Sequence, residues 1–249
     1  MYLAVMSQPT AAPAFAADPV EGRVFSTSRV VRSVDVTPAG RLRFDALARY
    51  LQQAAEDDLA DVDWAEGYTW LVRRTAVAVR GYPAHHDRVR LRTFCSATGP
   101  RWAERTTTLA GPAGDMVQAC ALWVAIDPGD GRPVPLGGSF DRIYGPSTGG
   151  RRVSARLSHP GPPADAAGRP WPLRASDFDT AGHVNNSIHW AAVEDVLAGL
   201  DWLPRHAELE YHRPVLPGHD PRLLTGQAAG QLTVWPCGDQ QRLASAVLR

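Results

Sequence analysis

Reactive side chains concentrate in one short stretch, Asp177-Phe178-Asp179-Thr180-Ala181-Gly182-His183-Val184-Asn185-Asn186. An extended segment precedes it and an apolar-periodic segment follows, so it reads as the opening of a helix. The first amides of a helix lack partners within it and carry the positive end of its dipole. They can therefore hold a carbonyl oxygen as it becomes an oxyanion. Gly182 and Val184 are the expected donors, because a glycine lets backbone approach a ligand with no Cβ in the way. Asp179 and His183 offer a carboxylate and an imidazole four residues apart, one to activate water or attack, the other to shuttle protons. Asp and Asn are equally favoured as helix caps and in turns, so spacing alone leaves a catalytic site and a plain capping turn both open.

Nothing else in the chain competes. His189, His206 and His212 have no partner at metal-ligand spacing, and Cys95, Cys120 and Cys237 are an odd, scattered set without a zinc or disulfide pattern. No Gly-x-Ser-x-Gly, P-loop or Gly-x-Gly-x-x-Gly segment occurs. No metal and no cofactor are expected. Formal charge is zero and the pI is near 7.1, so no global field draws the chain to nucleic acid or anionic lipid. All 26 basic residues are arginine, a usage we read as codon bias rather than chemistry. The first twenty residues lack signal- or transit-peptide character, and no stretch approaches the roughly 20 apolar residues of a membrane span. The expectation is a disordered leader over residues 1–24 on a soluble, cytoplasmic protein.

The elements that must position the candidate site occur twice. Val30 to Val36 alternates as a strand, a turn ends in Gly40, and Phe44, Leu47, Leu51 and Ala55 then recur on one helical face. Strand-like segments follow at Trp70 to Val79, Val89 to Cys95, Trp102 to Leu109 and Val117 to Ile126, separated by Gly and Pro turns. This is one helix plus a meandering antiparallel sheet, over residues 25–127. Residues 128–170 are Gly/Pro-rich and aperiodic and read as a connection. Residues 171–249 then restart the pattern. An offset of 182 − 40 = 142 places Arg174 on Arg32, Asp177 on Asp35, Ala181 on Ala39 and Gly182 on Gly40. A second helix from about Asn185 to Leu200 and strands at Ala207 to Tyr211, Arg222 to Gly226, Gln231 to Trp235 and Leu243 to Leu248 complete it.

The stretch Asp179-Thr180-Ala181-Gly182-His183-Val184-Asn185-Asn186 resembles the Asp-x-Asn-x-His-Val-Asn-Asn of the plant and bacterial acyl-acyl carrier protein (ACP) thioesterases. Trp70-Leu71-Val72-Arg73-Arg74, Tyr82-Pro83, Asp87-Arg88-Val89, Leu122-Trp123-Val124 and Leu209-Glu210-Tyr211-His212-Arg213 are similar to further family landmarks, in order. The likeness spans roughly residues 25–249. It implies an α+β tandem (double) hot-dog fold, each half an antiparallel sheet wrapped around a central helix. It also implies hydrolysis of fatty acyl-ACP thioesters in fatty acid biosynthesis, with ACP as partner and a monomer or homodimer as the working unit. By the same resemblance Asp179 and His183 are the catalytic aspartate and histidine, and Phe44, Leu47, Leu51 and Ala55 are core or acyl-pocket wall in the first half.

Two positions depart from the plant pattern: Ala181 replaces its asparagine and Pro214 a glutamate. Asn185, Asn186, Glu210 or Glu56 then stand as candidate supporting groups, and Arg151, Arg152 and Arg156 as a patch for an acidic carrier or as solvated loop arginines. Acyl-CoA thioesterase, 3-hydroxyacyl dehydratase and non-catalytic acyl binding are the alternatives.

Overall fold

The computed structural model describes residues 15–249 apart from Ala229 and Gln240. Most of the expected leader, residues 1–14, lies outside the described residues. From Asp18 onward the chain is engaged rather than loose: Asp18 pairs with Arg92 at 2.7 Å, and Arg23 Nε reaches Asp58 at 2.6 Å.

The first half contains β1 (Phe25–Val30), α1 (Phe44–Ala60), β2 (Thr69–Val79), β3 (Arg88–Thr98), β4 (Trp102–Gly111) and β5 (Gly114–Ile126). The expected strand from Val30 to Val36 stops at Val30. There Asp35 Oδ2 accepts the Arg32 N–H at 3.0 Å, and this local bond folds Ser33–Asp35 into a single 3-10 turn instead. The expected connection over 128–170 is also more structured than its composition suggests. It holds α2 (Gly138–Tyr144), whose Phe140 and Tyr144 pack among Trp64 and Trp70, and β6 (Ala167–Pro170).

The second half adds α3 (Asn186–Leu197), β7 (His206–Tyr211), β8 (Arg222–Ala228), β9 (Gln231–Gly238), β10 (Gln241–Arg242) and β11 (Ala244–Leu248). All pairings between strands are antiparallel, in the order β1-β3-β4-β5-β2-β7-β11-β9-β8-β6, with β10 on β9. The two half-sheets are thus one continuous sheet, joined where β2 meets β7 in the register Arg74↔Glu210 to Ala78↔His206. α1 and α3 pack against each other in its curve, with the Phe44 and Trp190 rings stacked at 5.4 Å. Phe44, Leu47 and Leu51 are buried there, each contributing roughly 1.5–3 kcal/mol.

The duplication is retained bond for bond in the turns that open the two helices. Gly40 N–H donates to Thr37 O and Gly182 N–H to Asp179 O; Thr37 N–H donates to Arg41 O and Asp179 N–H to His183 O. Arg43 N–H reaches Asp35 O just as Asn185 N–H reaches Asp177 O. Both glycines have positive φ, 82° and 73°, a conformation that a Cβ would strain. Arg41 and His183 therefore hold equivalent places, as do Phe44 and Asn186.

Candidate active site

Asn185 is the N-cap of α3: its Oδ1 accepts from Ser187 N–H at 3.0 Å and from Ser187 Oγ at 2.8 Å. Asp179 Oδ1 accepts the Ala181 N–H at 3.0 Å, which fixes the carboxylate at the turn and leaves Oδ2 without a partner among the described residues. The half-buried His183 imidazole has no hydrogen-bond partner among the described residues. The amides expected from the sequence to face a ligand are occupied. Gly182 N–H closes the turn onto Asp179 O at 3.0 Å, and Val184 N–H bonds Val215 O at 2.9 Å. Asn186 N–H, at the first helical position, has no acceptor among the described residues.

Asp179, His183 and Asn186 form the polar end of a cavity of about 300 Å³, large enough for a small-molecule ligand. Its walls are α1 and the first-half sheet, and its far end is closed by Phe140 and Tyr144 of α2. Of the four residues expected as pocket wall, only Ala55 lines it. Phe44, Leu47 and Leu51 face the core between the helices. The lining stripe is Gln52, Ala55, Glu56 and Leu59, spaced i, i+3, i+4 and i+7 on a neighbouring face of α1. Its two polar members hid it from an apolar count.

Beside the far end, Asp58 is buried and accepts both Arg23 Nε at 2.6 Å and Arg105 NH1 at 2.7 Å, while Arg105 lies over the Tyr144 ring at 5.4 Å. Cys95 also lines the cavity, but burial pushes its thiol up to about 12. It stays protonated at neutral pH and is no thiolate nucleophile.

Glu210 does not belong to this site. Leu209 and Tyr211 point toward the helices, Tyr211 donating to Asn186 O at 3.3 Å, so Glu208 and Glu210 point to the opposite face of β7. There Glu210 is fully buried and accepts the N–H groups of Ser158 at 2.6 Å and His159 at 3.1 Å. The His159 ring sits between the two carboxylates, Nε2 3.5 Å from Glu208 and Nδ1 3.8 Å from Glu210. These three residues clamp the connection onto the sheet; a metal ion could be held there only in competition with bonds already made. Arg151 is a second anchor of the same segment, through Ser96 O at 2.7 Å, and Arg152 bonds Thr98 Oγ1 at 3.0 Å.

A continuous antiparallel sheet around two central helices, with an acid, an imidazole and a free amide at one helix opening, defines a double hot-dog hydrolase. Residues 22–140 match the acyl-ACP thioesterase N-terminal domain and residues 162–234 its C-terminal domain, and the chain belongs to that family. It is a thiolester hydrolase acting on fatty acyl-ACP. The uncharacterized proteins MT2057 and Rv2001 of Mycobacterium tuberculosis are each 30% identical over 203 residues, 80% of this chain and 81% of theirs. The 12:0-ACP thioesterase from Umbellularia californica shares the fold with a TM-score of 0.78 at 21% identity, over 92% of this chain and 98% of its own. An acyl-ACP thioesterase from Bacteroides thetaiotaomicron does so with a TM-score of 0.76 at 17% identity, over 90% and 96%.

Proposed function

We propose that the first half supplies the acyl pocket and the second half the chemistry, at the opening of α3. The acyl chain lies along Ala55 and Leu59 toward Phe140, with the thioester carbonyl at the polar end. Asn186 N–H donates to the developing oxyanion, worth about 10² to 10³ in rate for one such donor. The Asp179 carboxylate takes a proton from water as the water oxygen bonds to the carbonyl carbon. His183 relays that proton from Asp179 to the departing thiolate as the C–S bond breaks, so that acid and free thiol result and Asp179 is a carboxylate again. The observation that carries this reading is the meeting of Asp179, His183 and the helix-opening Asn186, whose amide is unpaired, on the lining of one cavity that also presents apolar and aromatic side chains such as Leu59, Trp70, Val72 and Phe140.

The place of the family asparagine is empty of polar chemistry at Ala181, and Pro214 offers none either. The three cysteines are unpaired, and no helix among the described residues is long and apolar enough to cross a membrane. Both fit a cytoplasmic enzyme working beside fatty acid synthesis. One chain already supplies the paired helices that a hot-dog site needs, which favours a monomer.

A panel of matched acyl-ACP, acyl-CoA and 3-hydroxyacyl thioesters, followed by free thiol and by product mass, tests the reading. Free fatty acid with the highest kcat/KM on ACP is expected. Dehydration without thiol release, or tight binding without turnover, would overturn it.

A further inference from the structure

The turn that opens α1 is the twin of the one that opens α3, yet it is shut. Glu194 of α3 lays its carboxylate on it: Oε1 accepts the Phe44 N–H at 2.7 Å and Arg41 NH1 at 2.9 Å, and Oε2 accepts Arg41 NH2 at 2.7 Å. The chain thus contains its own picture of an oxygen anion held at such a helix opening, with Phe44 N–H in the place of Asn186 N–H and Arg41 in the place of His183.

The offset of 142 that relates these residues also relates Glu194 to Gln52, since 194 − 142 = 52. Each is the ninth residue of its helix. Gln52 lines the cavity together with Asn186 and His183, as the pseudo-two-fold arrangement requires. Its Nε2 donates to Glu56 Oε1 at 3.0 Å, one turn further along α1. With the amide nitrogen tied there, Oε1 is the free acceptor of the carboxamide.

We propose that Gln52 is a positioning residue for the hydrolysis: anchored by Glu56, its Oε1 holds the attacking water against Asp179, and its lack of charge keeps the second helix opening free for substrate. This supplies from the first half the polar group that Ala181 does not supply from the second. The inference rests on the reading of Asp179 as base. Whereas the carboxylate at 194 closes one opening, the carboxamide at 52 leaves the other in use.

Kinetics of thiol release from acyl-ACP, with kcat and KM resolved, test this on Gln52→Glu, Gln52→Ala and Glu56→Ala, each checked for an unchanged thermal midpoint. Gln52→Glu, although nearly isosteric, is expected to be the most damaged, by about 10²-fold or more in kcat/KM, because the new carboxylate takes the Asn186 N–H. Gln52→Ala is expected to lose about 10-fold in kcat at nearly constant KM, and Glu56→Ala several-fold, through a misplaced water. A crystal structure of Gln52→Glu should place the carboxylate on Asn186 N. A residue that merely packs would show the reverse order, Glu near wild type and Ala worst, and that order overturns the proposal. If Gln52→Glu does not fold, an unchanged kcat in both Ala variants overturns it equally. Loss of activity in Asp179→Asn together with full activity in the Gln52 variants refutes this inference alone, whereas full activity in Asp179→Asn refutes the reading beneath it.

Discussion

Glu194 and Arg41, 153 residues apart in sequence, meet through two hydrogen bonds of 2.7 and 2.9 Å with both side chains largely buried. The pair ties α3 of the second half to the turn that begins α1 in the first, and the same carboxylate caps α1 through Phe44 N–H. Removing the acid takes from a largely buried guanidinium its charged partner, leaving it Leu42 O at 3.1 Å and the Tyr82 ring, and takes from the α1 opening the acceptor of Phe44 N–H. Glu194→Ala should therefore cost about 3–5 kcal/mol in urea unfolding, and Glu194→Gln less, since it keeps an acceptor. A cost below about 1 kcal/mol for the alanine variant would contradict this role.

Asn185 links stability to catalysis at the other opening. Its Oδ1 fixes the first turn of α3 through Ser187, next to the cavity-lining Asn186 and its unpaired amide. Asn185→Ala should lose about 1 kcal/mol and lower kcat more than it raises KM, while Asn185→Asp, still a good cap, retains the stability. Equal stability of Asn185→Ala and the wild type would show the cap to be idle.

His189 sets part of the acid limb of stability. It lies between the Trp171 and Tyr211 rings, with its Nδ1 buried and unpartnered, and desolvation by burial lowers its pKa from 6.5 to about 4. The unfolded chain binds a proton near pH 6.5 where the folded chain does not. The contribution is thus complete above pH 6.5 and lost as pH falls toward 4, to the extent of about 3 kcal/mol. His189→Phe should flatten this decline between pH 7 and 4 in urea titrations. Parallel curves for variant and wild type would rule it out.

The cavity wall predicts chain-length control. Ala55 and Leu59 face the space between α1 and the Phe140–Tyr144 end. Ala55→Phe fills part of it, and the preferred acyl chain should shorten while kcat on short chains is largely kept. An unchanged length profile would place the acyl chain elsewhere.

Much of this was legible in the sequence where it depends on local chemistry. The opening of α3 announced itself through Asp179, Gly182 and Asn185, and the 142-residue offset carried over to matching backbone bonds in both turns. What escaped depends on contacts between distant segments. That Val184 N–H is not free for a ligand is decided by Val215, 31 residues further along the chain. The cavity face of α1 was hidden because Gln52 and Glu56 interrupt its apolar pattern, and α2 because seven residues in a Gly/Pro-rich segment carry too little periodicity. Glu210 sits in a stretch rich in reactive groups, yet strand alternation turns it to the other face of the sheet.

In the proposed reaction, fatty acyl-ACP is hydrolysed at the opening of α3 by Asp179 and His183. This is tested most directly by thiol release from acyl-ACP in Asp179→Asn and His183→Ala, with circular dichroism and the thermal midpoint matched to the wild type. A loss of about 10² to 10⁴ in kcat is expected for each, with the fold intact. Wild-type rates in well-folded Asp179→Asn would contradict it.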